Sequence, residues 1–222
     1  MGFIETLTEA YQQHSDPVNA EQMKAYMKNN FEFYGIKAGL RRELMKTAAK
    51  EHILEIRDTI RTLAFDLYDL PQRELHMCAM ELFEKHLRNS HKKEDIHLIE
   101  KLITTNSWWD SVDFIAKNIL GQYLRLHPEE IKTVIHRFSS SDNMWLQRSS
   151  IIFQLGYKEK TDKDLLFKQC LLHCESKEFF IQKAIGWALR EYGSYNPKAV
   201  LEFATTSNLK PLSKREAIRK LI

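Results

Sequence analysis

A helical pattern that returns about every 35 residues constrains this chain more than any other feature. Four segments carry it: Leu40-Arg41-Arg42-Glu43-Leu44, Leu75-His76-Met77-Cys78-Ala79, Leu146-Gln147-Arg148-Ser149-Ser150 and Ile181-Gln182-Lys183-Ala184-Ile185. They begin at residues 40, 75, 146 and 181, and a degenerate copy falls near Trp109-Asp110-Ser111-Val112. In each copy an apolar residue leads, two mostly polar residues follow, and the apolar stripe resumes at helical spacing. A unit of this size cannot bury its own apolar face and must stack on its neighbours. The expected fold is therefore all-α: a right-handed stack of HEAT-like helical repeats, forming a curved solenoid with a concave groove, as a single domain over 1–222. The tetratricopeptide signature is absent despite the similar period.

Composition supports this reading. Seven glycines and five prolines make 12 breakers in 222 residues, about 5% against roughly 12% in ordinary usage. Sheets and phosphate-binding loops need more turn residues than that, which argues against a β-sandwich or a nucleotide-binding α/β fold. The prolines fall in Asp16-Pro17, Leu70-Pro71, His127-Pro128, Asn196-Pro197 and Pro211-Leu212, at helix starts or just past helix ends, where a missing N–H costs little. Ser213 with Glu216 reads as a capping box, and Thr161 with Asp164 as a looser one. The helical pattern is still running at Ile222, which leaves room for a further helix beyond it.

Three cysteines, Cys78, Cys170 and Cys174, imply no disulfide framework and fit a reducing, cytoplasmic setting. No apolar run reaches the roughly 18 residues of a membrane helix. Neither a phosphate loop nor an H-E-x-x-H pattern occurs, so no cofactor or metal is expected. Cys170 and Cys174 read as core residues, and His76, His86, His91 and His97 as surface ones. The formal net charge of +3 is mild. Cations nevertheless cluster at Arg41, Arg42, Lys46 and Lys50, at Lys158, Lys160 and Lys163, and at Lys210, Lys214, Arg215, Arg219 and Lys220; each cluster is a solvated face or a polyanion contact.

Three helices carry unusual residues off their apolar stripes. Around 178–192 the stripe is Ile181, Ala184, Ile185, Ala188, Leu189 and Tyr192, which points Trp187 away from it, on the side of Lys183 and Arg190. After Ser107, Trp109 and Asp113 share a stripe border one turn apart. In the helix after Asn143, Arg148 lies on the edge of the stripe. Each alone reads equally as a Trp covering a helix junction or an ion pair tying two repeats. Together, at intervals of 39 residues, they suit an anionic pocket edge with indole faces around a cationic organic group on a phosphate backbone.

Five segments give these features a family likeness: Tyr26-Met27-Lys28-Asn29, Ser107-Trp108-Trp109-Asp110-Ser111-Val112-Asp113, Asp142-Asn143-Met144-Trp145-Leu146-Gln147-Arg148, Lys177-Glu178-Phe179-Phe180-Ile181-Gln182-Lys183-Ala184-Ile185-Gly186-Trp187 and Pro211-Leu212-Ser213-Lys214-Arg215-Glu216-Ala217-Ile218. With these strings the chain resembles the AlkD-type DNA alkylation repair family over nearly its whole length. The resemblance implies binding of double-stranded DNA in the concave face and release of purines alkylated at N3 or N7 by cleavage of the N-glycosidic bond; a monomer is expected because a duplex must enter an unobstructed groove, and the lack of a long apolar run argues against membrane association. It assigns Asp113 as the carboxylate that stabilises positive charge developing on the sugar and positions the attacking water, Trp109 and Trp187 as face contacts to sugar and backbone, and Arg148 as a phosphate contact at the lesion that helps fix the geometry of the site. An aspartate with a reference value of about 3.9 is ionised at neutral pH, as that role requires. Tyr26, Arg41, Arg42, Lys183, Arg190, Lys214 and Arg215 are the further DNA-binding candidates. Lys37-Ala38-Gly39 stands where members of the family favour Gln-Thr-Pro. A non-catalytic scaffold that binds DNA or protein is the alternative, because a repeat groove can persist without turnover.

Overall fold

The computed structural model describes residues 1–221. Helix follows helix throughout; among the described residues no strand forms, and the β-type pairing is an isolated bridge between Glu32 and Gln72. The chain gathers into two compact units, Met1–Ser90 and a second that starts at His91. In the first unit lie α1 (Phe3–Gln13), α2 (Pro17–Tyr26), α3 (Ala38–Glu51), α4 (Ile53–Tyr68) and α5 (Arg73–Leu87). The second contains α6 (Asp95–Thr104), α7 (Trp109–Phe114), α8 (Gly121–Leu126), α9 (Ile131–Ser139), α10 (Met144–Ile152), α11 (Lys163–Leu172), α12 (Phe179–Gly193), α13 (Pro197–Thr206) and α14 (Pro211–Ile218). The repeat is visible in the helix starts: α3, α5, α7, α10, α12 and α14 begin at 38, 73, 109, 144, 179 and 211. The copy that looked degenerate, at Trp109, thus keeps the period. Ile222 lies outside the described residues.

Local chemistry sets these boundaries. Asp16 caps α2 by accepting the N–H of Val18 and of Asn19 at 3.0 Å, and Pro17 takes the first helical position. Asn196 and Pro197 do the same for α13, with Asn196 accepting the N–H of Ala199. The two expected capping boxes form differently. Asp162, not Thr161, caps α11 through the N–H of Leu165. Ser213 stands inside α14, where its hydroxyl donates to the carbonyl of Gln182, because Pro211 already starts that helix.

Within the first unit, Phe3, Leu7 and Tyr11 form the buried stripe of α1, and the segment between α2 and α3 is clamped by a buried carboxylate. Glu74, at the start of α5, accepts the N–H groups of Tyr34, Gly35 and Ile36 at 3.2, 2.9 and 3.1 Å. Gly35 has φ +87°, and a Cβ there would lie 2.1 Å from the carbonyl oxygen of Asp16, so only glycine fits. His76 is buried rather than at the surface; its Nε2 pairs with the carbonyl of Leu70 and its ring packs on Tyr68 and Phe31. His91 is likewise buried, 3.5 Å from Asp95. His76 lies within α5 and His91 in the loop before α6, and periodicity alone did not mark either as covered.

The second unit is tied at one-repeat spacing by polar contacts around an apolar core that includes Ile152, Ile181, Ile185, Leu189 and Val200. Arg137 pairs with Glu100, and Lys210 with Glu175 at 2.9 Å. Cys170 is buried in that core. No group of three or more His, Cys, Asp or Glu among the described residues is arranged to hold a metal ion, and no helix there is long and apolar enough to cross a membrane.

Candidate active site

Trp109 opens α7 and Asp113 follows one turn later on the same face. Ser111 starts the helix: its hydroxyl accepts the N–H of Trp108 at 3.4 Å and donates to the Trp108 carbonyl at 3.1 Å. Immediately after Phe114 the helix widens into a π-helical segment, Ile115–Leu120, before α8 resumes. Wider turns of this kind interrupt α-helices frequently at functional sites. Here the segment lets Ile115, Ala116, Ile119 and Leu120 all be buried, anchoring the helix just behind Asp113. Gly121 lets the chain after α10 come close, since a Cβ there would stand 2.5 Å from the carbonyl oxygen of Phe153.

Arg148, from α10, meets Asp113 in a two-pronged bond: Nε donates to Oδ1 at 2.7 Å and Nη2 to Oδ2 at 2.9 Å. Its Nη1 donates to the carbonyl oxygen of Phe180 on α12. The Arg148 side chain is 4% exposed and that of Asp113 17%. Arg148 therefore lies inside the stack and not on the edge of the α10 stripe. The reason is that α10 is a middle helix, with Leu146, Ser149, Ser150, Ile151 and Ile152 also buried around it. Three donors of the guanidinium are spent within the protein, so its placement is that of a brace for Asp113.

Burial pushes the Asp113 carboxyl above its ordinary value, the hydrogen bonds and charge of Arg148 pull it back, and Asp110 adds a smaller upward push. An ionised carboxylate has about four acceptor positions; two are occupied by Arg148, and the partly exposed edge retains the rest for water or a cationic carbon. Beside this pair lies an aromatic cluster of Trp108, Trp145 and Phe180, with ring centroids 5.2–6.0 Å apart.

Trp187 on α12 is half-buried and packs against the core, so it turns away from the stripe less than the wheel suggests. Lys183 and Arg190, expected to face DNA, are both engaged by Glu216 of α14: Lys183 Nζ lies 3.1 Å from Oε1, and Arg190 Nη1 2.6 Å from Oε2. Glu216, read from sequence only as a capping residue, was missed as part of this region. The available signal was its opposite charge about one repeat after Lys183, much as Arg148 follows Asp113. Phe180 was missed as a partner because its contribution is a backbone carbonyl, to which residue type is blind.

Of the remaining candidates, Lys214 is half-buried and Arg215 exposed on α14. In the first unit, Tyr26 is 68% exposed at the end of α2. Arg42 is exposed but shares Glu81 with Arg41. Arg41 itself is buried, donating to Glu81 at 2.6 Å and lying 3.5 Å from the Cys78 sulfur, so it serves the interior of that unit and offers no surface to a ligand. Lys37 precedes α3, and a Cβ on Gly39 would meet nothing within 4 Å.

Residues 7–221 match the family of DNA alkylation repair enzymes. A solved structure described as a predicted DNA alkylation repair enzyme from Enterococcus faecalis is 34% identical, with a TM-score of 0.86 over 93% of this chain and 96% of that one. Two structures from Streptococcus mutans share the fold alone at 16% identity: AlkD2, with a TM-score of 0.61 over 90% of this chain and 96% of that one, and smu.31, with 0.62 over 82% and 96%. No curated protein matches.

Proposed function

Because the chain belongs to the family of DNA alkylation repair enzymes, we propose that it is a DNA glycosylase that hydrolyses the N-glycosidic bond of cationic N3- and N7-alkylated purines in duplex DNA. The observation that carries the reading is the Asp113 carboxylate, braced by a buried arginine through both oxygens and one helical turn from an indole. Alkylation at N3 or N7 leaves the purine positively charged and a good leaving group, so no protein acid is needed. As the bond from C1′ to the base nitrogen breaks, its electron pair leaves with the base, which departs neutral, and positive charge develops on the sugar. A fixed carboxylate opposite that charge stabilises it most where solvent is scarce. Water then bonds to C1′ and loses a proton to the carboxylate or to solvent. Water is the sole co-reactant, and an abasic site remains.

Trp109 and Trp187 hold the sugar and backbone of the lesion by their faces; contact of an aromatic face with a partial cation contributes about 0.5–2 kcal/mol. Arg148 acts on the substrate through Asp113, which it orients. Lys183 lies against Glu216, an arrangement that favours simple hydrolysis over Schiff-base chemistry. Lys214 and Arg215 in the second unit supply further contacts to the duplex, and Tyr26 and Arg42 are the candidates that the first unit offers by itself; such contacts position an enzyme without reading sequence.

The test is chromatographic detection of free alkylated purine released from methylated duplex DNA by wild-type protein and by Asp113→Asn. Release that disappears in the variant is the expected result. No release by folded wild-type protein refutes the glycosylase and leaves a DNA-binding scaffold.

A further inference from the structure

Lys183, Trp187 and Arg190 occupy one face of α12 at i, i+4 and i+7. The helix that follows in the stack, α14, comes unusually close there: a Cβ on Gly186 would lie 2.4 Å from the Glu216 Cβ and 3.0 Å from the Ser213 carbonyl oxygen. The missing side chain at Gly186 is what lets Glu216 reach the α12 backbone beside Trp187. Its carboxylate then spans the indole's neighbours, with Lys183 at 3.1 Å on one oxygen and Arg190 at 2.6 Å on the other. Arg190 Nη1 also donates to the Glu216 backbone carbonyl at 2.9 Å, and Arg219 stands 3.7 Å from the carboxylate. The side chain of Glu216 is only 9% exposed.

For docking two helices alone, apolar packing would serve as well as a buried carboxylate, whose desolvation offsets much of its attraction. The distinct result of this network is geometric. It holds two long, flexible cations in one arrangement, about one turn before and one turn after Trp187 on the same face of α12. We propose that Glu216 is a positioning residue: through Lys183 and Arg190 it confines the Trp187 ring in the orientation that meets the lesion, and it keeps both cations off the DNA phosphates. The kinetic consequences rest on the glycosylase reading; the confinement of Trp187 does not.

Glu216→Gln preserves shape and removes the charge. In single-turnover excision the rate is expected to fall about tenfold, as a misplacement well below 1 Å would cause. Duplex affinity does not weaken, and the slope of log K against log salt steepens by up to about 0.9 for each cation released. In a Trp187→Phe background the same substitution changes the rate less than about twofold, because its target is gone; a merely structural loss would be equal in both backgrounds. Acrylamide quenching of the Trp187 fluorescence, taken as wild type minus Trp187→Phe, is expected to rise in Glu216→Gln. If wild-type protein excises nothing, the glycosylase reading fails and the quenching measurement alone decides the positioning role. If Glu216→Gln does not fold, Lys183→Gln removes the bridge from the α12 side and the same rise in quenching is expected. Quenching unchanged from wild type, or a rate loss as large without Trp187 as with it, overturns the proposal.

Discussion

On the proposed reading Asp113 serves both catalysis and architecture, and removing its charge tests the two together. In wild-type protein two oxygens accept from a guanidinium that is 4% exposed. Asp113→Asn leaves that buried cation one neutral acceptor in place of two charged ones. Truncating one partner of a fully buried pair costs about 3–5 kcal/mol. Asn keeps an oxygen in the same place, Asp113 is partly exposed and Arg148 keeps the Phe180 carbonyl, so the expected cost is about 2 kcal/mol. For a chain of this size that lowers the melting temperature by about 4–8 °C. The excision rate should fall by about 10²–10³-fold or more, the usual loss when a charge-stabilising group is removed. The double variant Asp113→Asn/Arg148→Met removes the stranded cation as well, and melting should return to within about 1 kcal/mol of wild type, since replacing both members of a buried pair is close to neutral. Excision should stay at the level of Asp113→Asn. Calorimetric melting and single-turnover base release on the three proteins decide the matter. A double variant that regains both stability and excision would refute the catalytic role and leave Asp113 as a strut.

Protonated Asp113 cannot stabilise a cation, so excision should fail as pH drops through its folded value. Burial raises that value above the reference of about 3.9, and Arg148→Met, which removes the downward pull, should move the acid limb of the rate profile to still higher pH. Glu216 behaves oppositely. Burial opposes its ionisation, but Lys183, Arg190 and Arg219 outweigh that and hold it below the usual carboxylate range, so its stabilisation is present above the unfolded value and lost as pH falls through the folded one. The gap in melting temperature between wild type and Glu216→Gln should therefore narrow on acidification; a constant gap contradicts the assignment. Gly186→Ala should destabilise by about 1–3 kcal/mol in urea titrations despite alanine's better helix propensity, because the added Cβ meets backbone as well as a side chain. Arg215→Ala should weaken duplex binding uniformly across sequences and lower the magnitude of the salt slope by about 0.9; an unchanged slope removes it from the interface.

Much of the fold was legible because helices advertise themselves locally. Proline at helix starts, asparagine and aspartate caps and an apolar stripe are short-range signals, and Asp16-Pro17 and Asn196-Pro197 act as their chemistry dictates. The repeat was readable for the same reason, down to the copy at Trp109 that seemed degenerate. The pairing of Asp113 with Arg148 was open from sequence only as one option, an ion pair tying two repeats. What periodicity could not show was which edges are covered. Arg41, Arg148 and His76 are buried although each follows the leading apolar residue of its repeat in a polar position, and His91 is buried in the segment before α6.

The amino-acid order by itself therefore determined the all-α class, the period of about 35 residues and the residue types assembled around Asp113, because these follow from interactions within a few turns of one helix. Only the tertiary structure decided what each charged group does. Whether an arginine faces a phosphate or a carboxylate depends on the helix one repeat away: α12 offers Arg148 a carbonyl, and α14 offers Lys183 and Arg190 a carboxylate. Those partners lie about 30 residues distant in the chain and within hydrogen-bond reach in space, and burial, set by the neighbours on both sides, fixes the balance between desolvation and charge at each of them.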